Sequence, residues 1–222
     1  MKVLTLDPSS TCIGYAVLIG LESADLCDTG TITPPNKAGM AAPAIGLTGA
    51  EWANILAMGH PAIARTMAML GDVSDVVAEH RPDVVVVEIP SGKAGTGSKR
   101  GAKASLAVYG LAAGVIYAAA TCFAHEVSAY AIPVDERTWT KLPRIKSQRG
   151  DPKAGRQFYL QAVYPGQYDP DKDRGCDAGD AILIARWWFL HLAIPGADPL
   201  CDRCGLPTPH GDGPCLHCGG QP

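Results

Sequence analysis

The chain begins with three short segments in which apolar residues dominate or alternate with polar ones. They span residues 2–6, 13–19 and about 26–32, and residues that favour turns bound each of them. Residues 7–11 contain proline and serine, which predicts a turn between the first two strands. Residues 84–87 are four consecutive valines, a pattern typical of a strand that is buried on both faces.

Helical patterns separate the later strands. A loop rich in Pro, Gly and Ala at residues 34–49 leads into a helical stretch that ends near His80. A second loop, residues 90–101, precedes an uncharged helix over residues 104–124. The β-branched character of residues 127–134 then predicts a fifth strand.

The last third of the sequence predicts mainly helices. We expect a short helix at residues 136–141, a basic loop at 142–151, a helix at 153–163 and a turn-rich connection at 164–174. A final helix follows and includes residues 181–188. This order of elements predicts an α/β fold, with a mixed five-stranded sheet that has helices on its faces.

Four carboxylates stand where a protein core gains nothing from a charge. Asp7 and Glu88 each end a predicted strand, and Asp177 and Asp180 open the last helix on one face. An acid at the end of a buried strand lies at the mouth of a parallel-type sheet. The set therefore predicts binding of hard divalent cations, Mg²⁺ or Mn²⁺, which prefer oxygen ligands.

Such a set suits two-metal phosphodiester hydrolysis, in which ions about 4 Å apart activate water and stabilise the leaving oxygen. Asp7 is expected to bridge both ions, and the other acids to complete the separate shells. Without metal, the clustered acids should have raised pKa values. In a purely structural interpretation Asp7 favours a turn, Asp177 caps a helix and Asp180 complements its dipole. That interpretation leaves Glu88 unexplained.

Positive charge is concentrated in one part of a chain whose net charge is −3. Residues 93–156 contain eleven Lys or Arg against four acids, which predicts a basic band beside an acidic centre and a polyanionic partner. Trp139 lies among these cations, where it could stack on a base. The alternative for each cation is a solvated surface. The candidate nucleic-acid-binding residues are Lys93, Lys99, Arg100, Lys103, Arg137, Trp139, Lys141, Arg144, Lys146, Arg149 and Arg156.

Two patterns in the sequence suggest other functions. The loop at residues 92–99 resembles a nucleotide-binding loop, but its lysine is displaced by one position from the required pattern. Residues 104–124 carry no charge and are long enough to cross a membrane. Spanning would place Glu88 and Asp177 on opposite sides of a bilayer. A buried helix that packs closely, against the core or a second subunit, is therefore favoured, and Trp187 and Trp188 are expected in the core or at that interface.

The C-terminal tail has the spacing of a zinc site. Cys201, Cys204, Cys215 and Cys218 form two C-x-x-C pairs, and four thiolates give a closed, structural zinc site. The tail is too short and polar to fold without such a staple. The sequence therefore predicts two units, a nuclease domain over residues 1–193 and a linker with a four-cysteine zinc ribbon over 194–222.

The acidic motifs resemble those of RuvC-type Holliday-junction resolvases, members of the RNase H-like superfamily. The resemblance rests on residues 4–17, 85–88 and 177–185, in the same order and spacing, and extends over residues 1–191. It implies an RNase H-like fold, a homodimer and metal-dependent cleavage of four-way DNA junctions. Lys153 stands where these enzymes carry a catalytically important lysine.

The sequence also departs from the family pattern. Residues 89–99 lack the aromatic wedge that usually follows the second acid, and the cysteine-rich tail is not typical of the bacterial enzymes. These departures indicate a divergent, phage-encoded type. The chain enters a strand at once and has no secretion signal, so a cytoplasmic location in a bacterial or phage-infected cell is expected. An RNase H-like nuclease on RNA or RNA/DNA hybrids and a non-catalytic DNA-binding protein are the alternatives.

Overall fold

A five-stranded sheet forms the centre of the protein in this computed structural model. Its strands are β1 (Lys2–Pro8), β2 (Ile13–Ile19), β3 (Asp25–Ile32), β4 (Val84–Ile89) and β5 (Tyr130–Asp135). They lie in the order β3-β2-β1-β4-β5. The first three pair antiparallel, whereas β4 is parallel to both β1 and β5. The structure describes residues 1–9, 11–20, 25–34, 61–90, 100–139, 152–173, 175 and 177–191.

Six helices accompany this sheet in the described ranges. They are α1 (Pro61–Ala68), α2 (Leu70–His80), α3 (Arg100–Glu126), α4 (Glu136–Trp139), α5 (Pro152–Val163) and α6 (Asp177–His191). Helices α1, α2 and α3 pack together, and α3 contacts β4 and β5. Helix α6 packs on β1 and β2.

Successive side chains of the central strands point to opposite faces of the sheet, so each face has its own hydrophobic core. Val84 and Val86 face the core that contains α6, whereas Val85 and Val87 face the core that contains α3. All four valines are at most 9% exposed, as a strand covered on both faces requires. Trp187 and Trp188 are buried in the α6 core.

The predicted mixed five-stranded α/β architecture is confirmed, with shifts at element ends. β1 continues to Pro8, so Asp7 lies within the strand and the turn begins after it. β5 begins at Tyr130 because the three preceding residues form the turn after α3. Helix α3 begins at Arg100, inside the predicted loop. The zinc ribbon and the loops predicted at residues 34–49, 90–101 and 142–151 lie wholly or mostly outside the described residues.

Among the helices that the structure describes, α3 alone is long and apolar enough to cross a membrane. The apolar stretch is Ala107–Glu126, with a mean hydropathy of 1.7. Length and composition are weak evidence, since core helices share both. Ile116, Ala120 and Ala124 are fully buried and pack in the α3 core, so one side of the helix is a packing surface of this fold.

Candidate active site

The parallel register of the two central strands brings Asp7 and Glu88 together. Leu6 pairs with Val87, so the next residue on each strand lies at the same carboxyl-terminal edge of the sheet. Side chains alternate along a strand. Asp7 therefore shares the face of Thr5, and Glu88 that of Val86, which is the face covered by α6.

Two contacts fix the start of α6 against this edge. The buried Thr5 hydroxyl donates to the carbonyl of Ala181 at 2.7 Å. Gly14, which pairs with Asp7 across the sheet, has no side chain, and a Cβ there would collide with the backbone of Asp177. Helix α6 therefore lies directly on β2, and its first turn carries both Asp177 and Asp180.

Asp173 holds the amino terminus of α6. Its carboxylate accepts hydrogen bonds from the backbone N–H of Ala178 at 3.2 Å and of Gly179 at 2.8 Å. The Tyr168 hydroxyl donates to the same carboxylate at 2.9 Å. Asp173 is only 6% exposed, so these bonds satisfy a buried acid and two helix N–H groups that lack partners within the helix. The sequence interpretation gave the capping role to Asp177 and missed Asp173.

Burial and mutual repulsion raise the pKa values of Asp7 and Glu88. Burial raises the pKa of Asp7 well above its usual range, and the charges of Glu88, Asp180 and Asp177 raise it further. Burial also raises the pKa of Glu88 to about 7, with a further contribution from Glu136. The acids therefore act on one another as a cluster.

Two aromatic donors hold Glu88. The Trp139 indole N–H donates to Oε2 at 3.1 Å, and the Tyr109 hydroxyl donates to Oε1 at 3.2 Å. Burial and the charges of Glu88 and Asp7 raise the pKa of Tyr109, which keeps its hydroxyl a donor. The sequence interpretation missed Tyr109, although a phenol in a predicted buried helix needs a polar partner.

The acids of α6 have partners of their own. Arg156 Nη1 lies 2.7 Å from both carboxylate oxygens of Asp180. The Cys12 thiol donates to Oδ2 of Asp177 at 3.1 Å. Burial is the main cause that raises the pKa of Cys12, so the thiol stays protonated and donates to the acid.

The chemistry of the donor set suits a hard divalent cation, since its four members are carboxylates, and the charges of the other three add to burial in raising the pKa of Asp7. Among the residues that the structure describes, no three His, Cys, Asp or Glu side chains are already arranged to hold a metal. Arg156 occupies Asp180, and two aromatic donors occupy Glu88. Protein side chains thus contact Glu88, Asp177 and Asp180 directly.

Trp139 and Arg156 were predicted to bind DNA, but in the structure they contact Glu88 and Asp180. Trp139 is 2% exposed, so in this arrangement its ring cannot stack on a base and the predicted stacking role is not supported. Arg156 contacts Asp180 where a phosphate contact was predicted. Both residues contribute to the acid cluster through its hydrogen bonds.

The other predicted residues are placed less completely. The backbones of Arg100 and Lys103 lie at the start of α3, that of Arg137 in α4 and that of Lys153 in α5, while their side chains are outside what the structure describes. The remaining candidates lie outside the described residues altogether: Lys93, Lys99, Lys141, Arg144, Lys146, Arg149, Cys201, Cys204, Cys215 and Cys218.

The strand order and flanking helices have the arrangement of the RNase H-like α/β fold. The structure of T. thermophilus RuvC in complex with Holliday junction substrate matches this chain with a TM-score of 0.52 and 16% sequence identity. The match covers 84% of this chain and 91% of the RuvC chain. A second Thermus thermophilus RuvC structure has a TM-score of 0.50 and 15% identity, and covers 85% and 95%. No family model and no curated protein sequence matches. The fold is therefore a divergent form of the RuvC fold.

Proposed function

We propose that this protein is a metal-dependent endonuclease that resolves Holliday junctions or other branched DNA. The observation that supports the proposal is the position of Asp7 and Glu88 at one edge of a RuvC-like sheet, with Asp177 and Asp180 in the first turn of the helix that packs on it. Burial and the charges of the other three acids raise the pKa of Asp7, so ionising it costs stability unless a cation binds there. The reaction proposed is hydrolysis of a phosphodiester by water, without a covalent intermediate on the protein.

In this proposal the four carboxylates hold two divalent ions. Bound Mg²⁺ or Mn²⁺ would activate the attacking water and neutralise the leaving oxygen. Asp7 lies on the strand beside that of Glu88 and interacts with the charges of all three other acids, so it would be a ligand of the bound metal. Tyr109 and Trp139 orient Glu88 through its two oxygens, and Asp173 fixes the helix that carries the other two acids.

Basic residues near the acids would bind the DNA backbone. Lys153 belongs to α5, the helix whose Arg156 reaches Asp180, so a catalytic or phosphate-binding role for Lys153 is part of the proposal. The first turn of α3 contains Arg100 and Lys103, and α3 is the next described helix after β4, the strand that contains Glu88. Phosphate contacts of this kind position DNA without selecting its sequence.

The substrate is the finer part of the proposal. The neighbour with a TM-score of 0.52 is a RuvC bound to a Holliday junction, which supports branched DNA. A symmetric four-way junction also suits a protein that acts as a homodimer. The absence of aromatic residues from positions 89–99 leads us to expect weaker selection of the junction centre than an aromatic wedge would give.

Cleavage of a matched panel of nucleic acids tests the function. We expect Mg²⁺- or Mn²⁺-dependent cuts in a four-way junction, fewer in a three-way fork and none in a linear duplex of the same sequence. Preferential cleavage of an RNA/DNA hybrid would favour the alternative RNase H-like activity. Metal-independent binding of the junction without any cleavage would instead indicate a non-catalytic DNA-binding protein, and either result would reject the junction-resolving proposal.

A further inference from the structure

Arg156 makes the most direct contact between a cation and the acidic cluster in the described residues. Its Nη1 is 2.7 Å from both oxygens of Asp180. The two side chains are 26% and 11% exposed, so water screens their interaction only partly. A charge-assisted pair of this kind is stronger than an ion pair on an open surface.

Trp139 connects this pair to the other side of the site. The guanidinium of Arg156 lies over the Trp139 ring, 5.3 Å from its centroid. The indole N–H of the same ring donates to Glu88. Arg156 and Trp139 therefore form a continuous set of contacts between Asp180 on α6 and Glu88 on β4.

We propose that Arg156 and a divalent cation compete for the Asp180 carboxylate, so that metal binding would displace the guanidinium. The inference rests on the proposed metal-dependent function. Arg156 is a positioning residue, because it neutralises Asp180 and contacts the ring that donates to Glu88. A divalent ion on the same carboxylate would lie within a few ångströms of the guanidinium, and the two positive charges would repel strongly in a partly dry site.

The exchange makes Arg156 and the metal competitors for one carboxylate. Removal of the guanidinium should therefore tighten metal binding, because the metal no longer has to displace a bound cation. The same change should lower the stability of the protein without added metal, because Asp180 loses a charge-assisted partner beside other acids. A residue that only packs against its neighbours would not alter metal affinity in this direction.

Mn²⁺ binding to the full chain tests the exchange, with free Mn²⁺ measured by its electron paramagnetic resonance signal. The variants are Arg156→Ala, Arg156→Met, which keeps a long side chain over Trp139 without charge, and Arg156→Lys, which keeps the charge. Lys172→Ala is the control: Lys172 is 85% exposed, pairs with Asp169 and lines the cleft beside Asp177. It removes one positive charge nearby without removing a partner of Asp180.

We expect Arg156→Ala and Arg156→Met to tighten Mn²⁺ binding about tenfold, the scale of one charge-assisted hydrogen bond. Arg156→Lys should stay close to wild type, and Lys172→Ala should change affinity at most about twofold. Unchanged or weaker Mn²⁺ binding in the folded Arg156→Met variant, with wild type binding Mn²⁺ and cutting junctions, would overturn the exchange alone. A wild type that neither binds Mn²⁺ nor cuts any substrate would overturn the proposed function as well.

Discussion

At the scale of single residues, Glu88 is the acid whose position structural needs alone explain least. It follows four buried valines, is itself 4% exposed and accepts hydrogen bonds from two aromatic side chains. A buried carboxylate costs stability even when it is hydrogen-bonded, and its pKa is raised to about 7. Its location beside Asp7 is explained if both acids bind a cation.

Neutral, isosteric substitutions should separate chemistry from binding. Asp7→Asn and Asp180→Asn each remove a metal-binding charge while keeping side-chain size, so we expect junction cleavage to fall by about a thousandfold or more, the scale of several kcal/mol. Junction affinity in a gel-shift assay should not weaken. Asp169→Asn, an exposed acid outside the cluster, is the control, and full cleavage by Asp7→Asn or Asp180→Asn would contradict the assignment.

The raised pKa of Glu88 predicts how stability depends on pH. The folded protein binds this proton more tightly than the unfolded chain, whose value is near 4.5. The associated stability is present below about pH 4.5 and is lost as pH rises through about 7. With chelator present, the melting temperature of Glu88→Gln relative to wild type should therefore rise between about pH 5 and about pH 8. A difference in melting temperature that stays constant over that range would contradict the raised pKa of Glu88.

At the scale of elements, the placement of Asp177 and Asp180 depends on how α6 begins. Asp173 accepts hydrogen bonds from two backbone N–H groups in the first turn of α6. Asp173→Ala should therefore lower the free energy of unfolding by about 2 kcal/mol, which is in the upper part of the range for a lost cap. Cleavage should also fall, because the first turn carries two acids of the site. Denaturant unfolding and junction cleavage measure the two effects.

Two related variants distinguish a cap from a general acidic residue. Asp173→Asn retains one acceptor oxygen and should fall between Asp173→Ala and wild type. Asp169→Ala removes an acid from the same connection whose side chain is 47% exposed, and it should cost less than about 0.5 kcal/mol. Equal stability of Asp173→Ala and Asp169→Ala would show that the capping bonds contribute little.

The strands and helices could be predicted because their signals are local. The valine run of β4 indicates a strand buried on both faces, and the uncharged sequence of α3 indicates a helix. The predicted burial of α3 holds for one side of the helix only. Asp173 and Trp139 could not be assigned from sequence, because their roles depend on contacts between separate segments. Trp139 donates a hydrogen bond to Glu88, which is 51 positions away in the sequence. The cations that neighbour Trp139 in the sequence predicted a DNA-binding role instead.

At the scale of the whole molecule, the four paired cysteines predict a unit with its own metal. Cys201→Ser together with Cys215→Ser should release one zinc ion per chain, measured by elemental analysis, because each pair loses a ligand. Mg²⁺-dependent junction cleavage should continue, since a closed zinc site is structural. Retained zinc in the double variant would contradict the ligand assignment, and full loss of cleavage would give the ribbon a functional role.

The outer face of α3 is the surface through which we expect two chains to associate. Ala107, Leu111, Gly114, Ala118 and Cys122 are exposed on one side of the helix and carry no charge, and Leu111 is 56% exposed. Burial of this face would remove apolar surface from water, and its small residues allow close approach of a second helix. A charge placed there should therefore oppose association.

Leu111→Glu tests this surface by light scattering after size exclusion. We expect wild type to be a dimer and Leu111→Glu a monomer, because an unpaired carboxylate would be buried at the interface. Phe158→Glu is the control, since Phe158 is 70% exposed on α5. The monomer should nick one strand of a junction where the dimer makes paired cuts. A Leu111→Glu protein that remains dimeric would place the interface elsewhere.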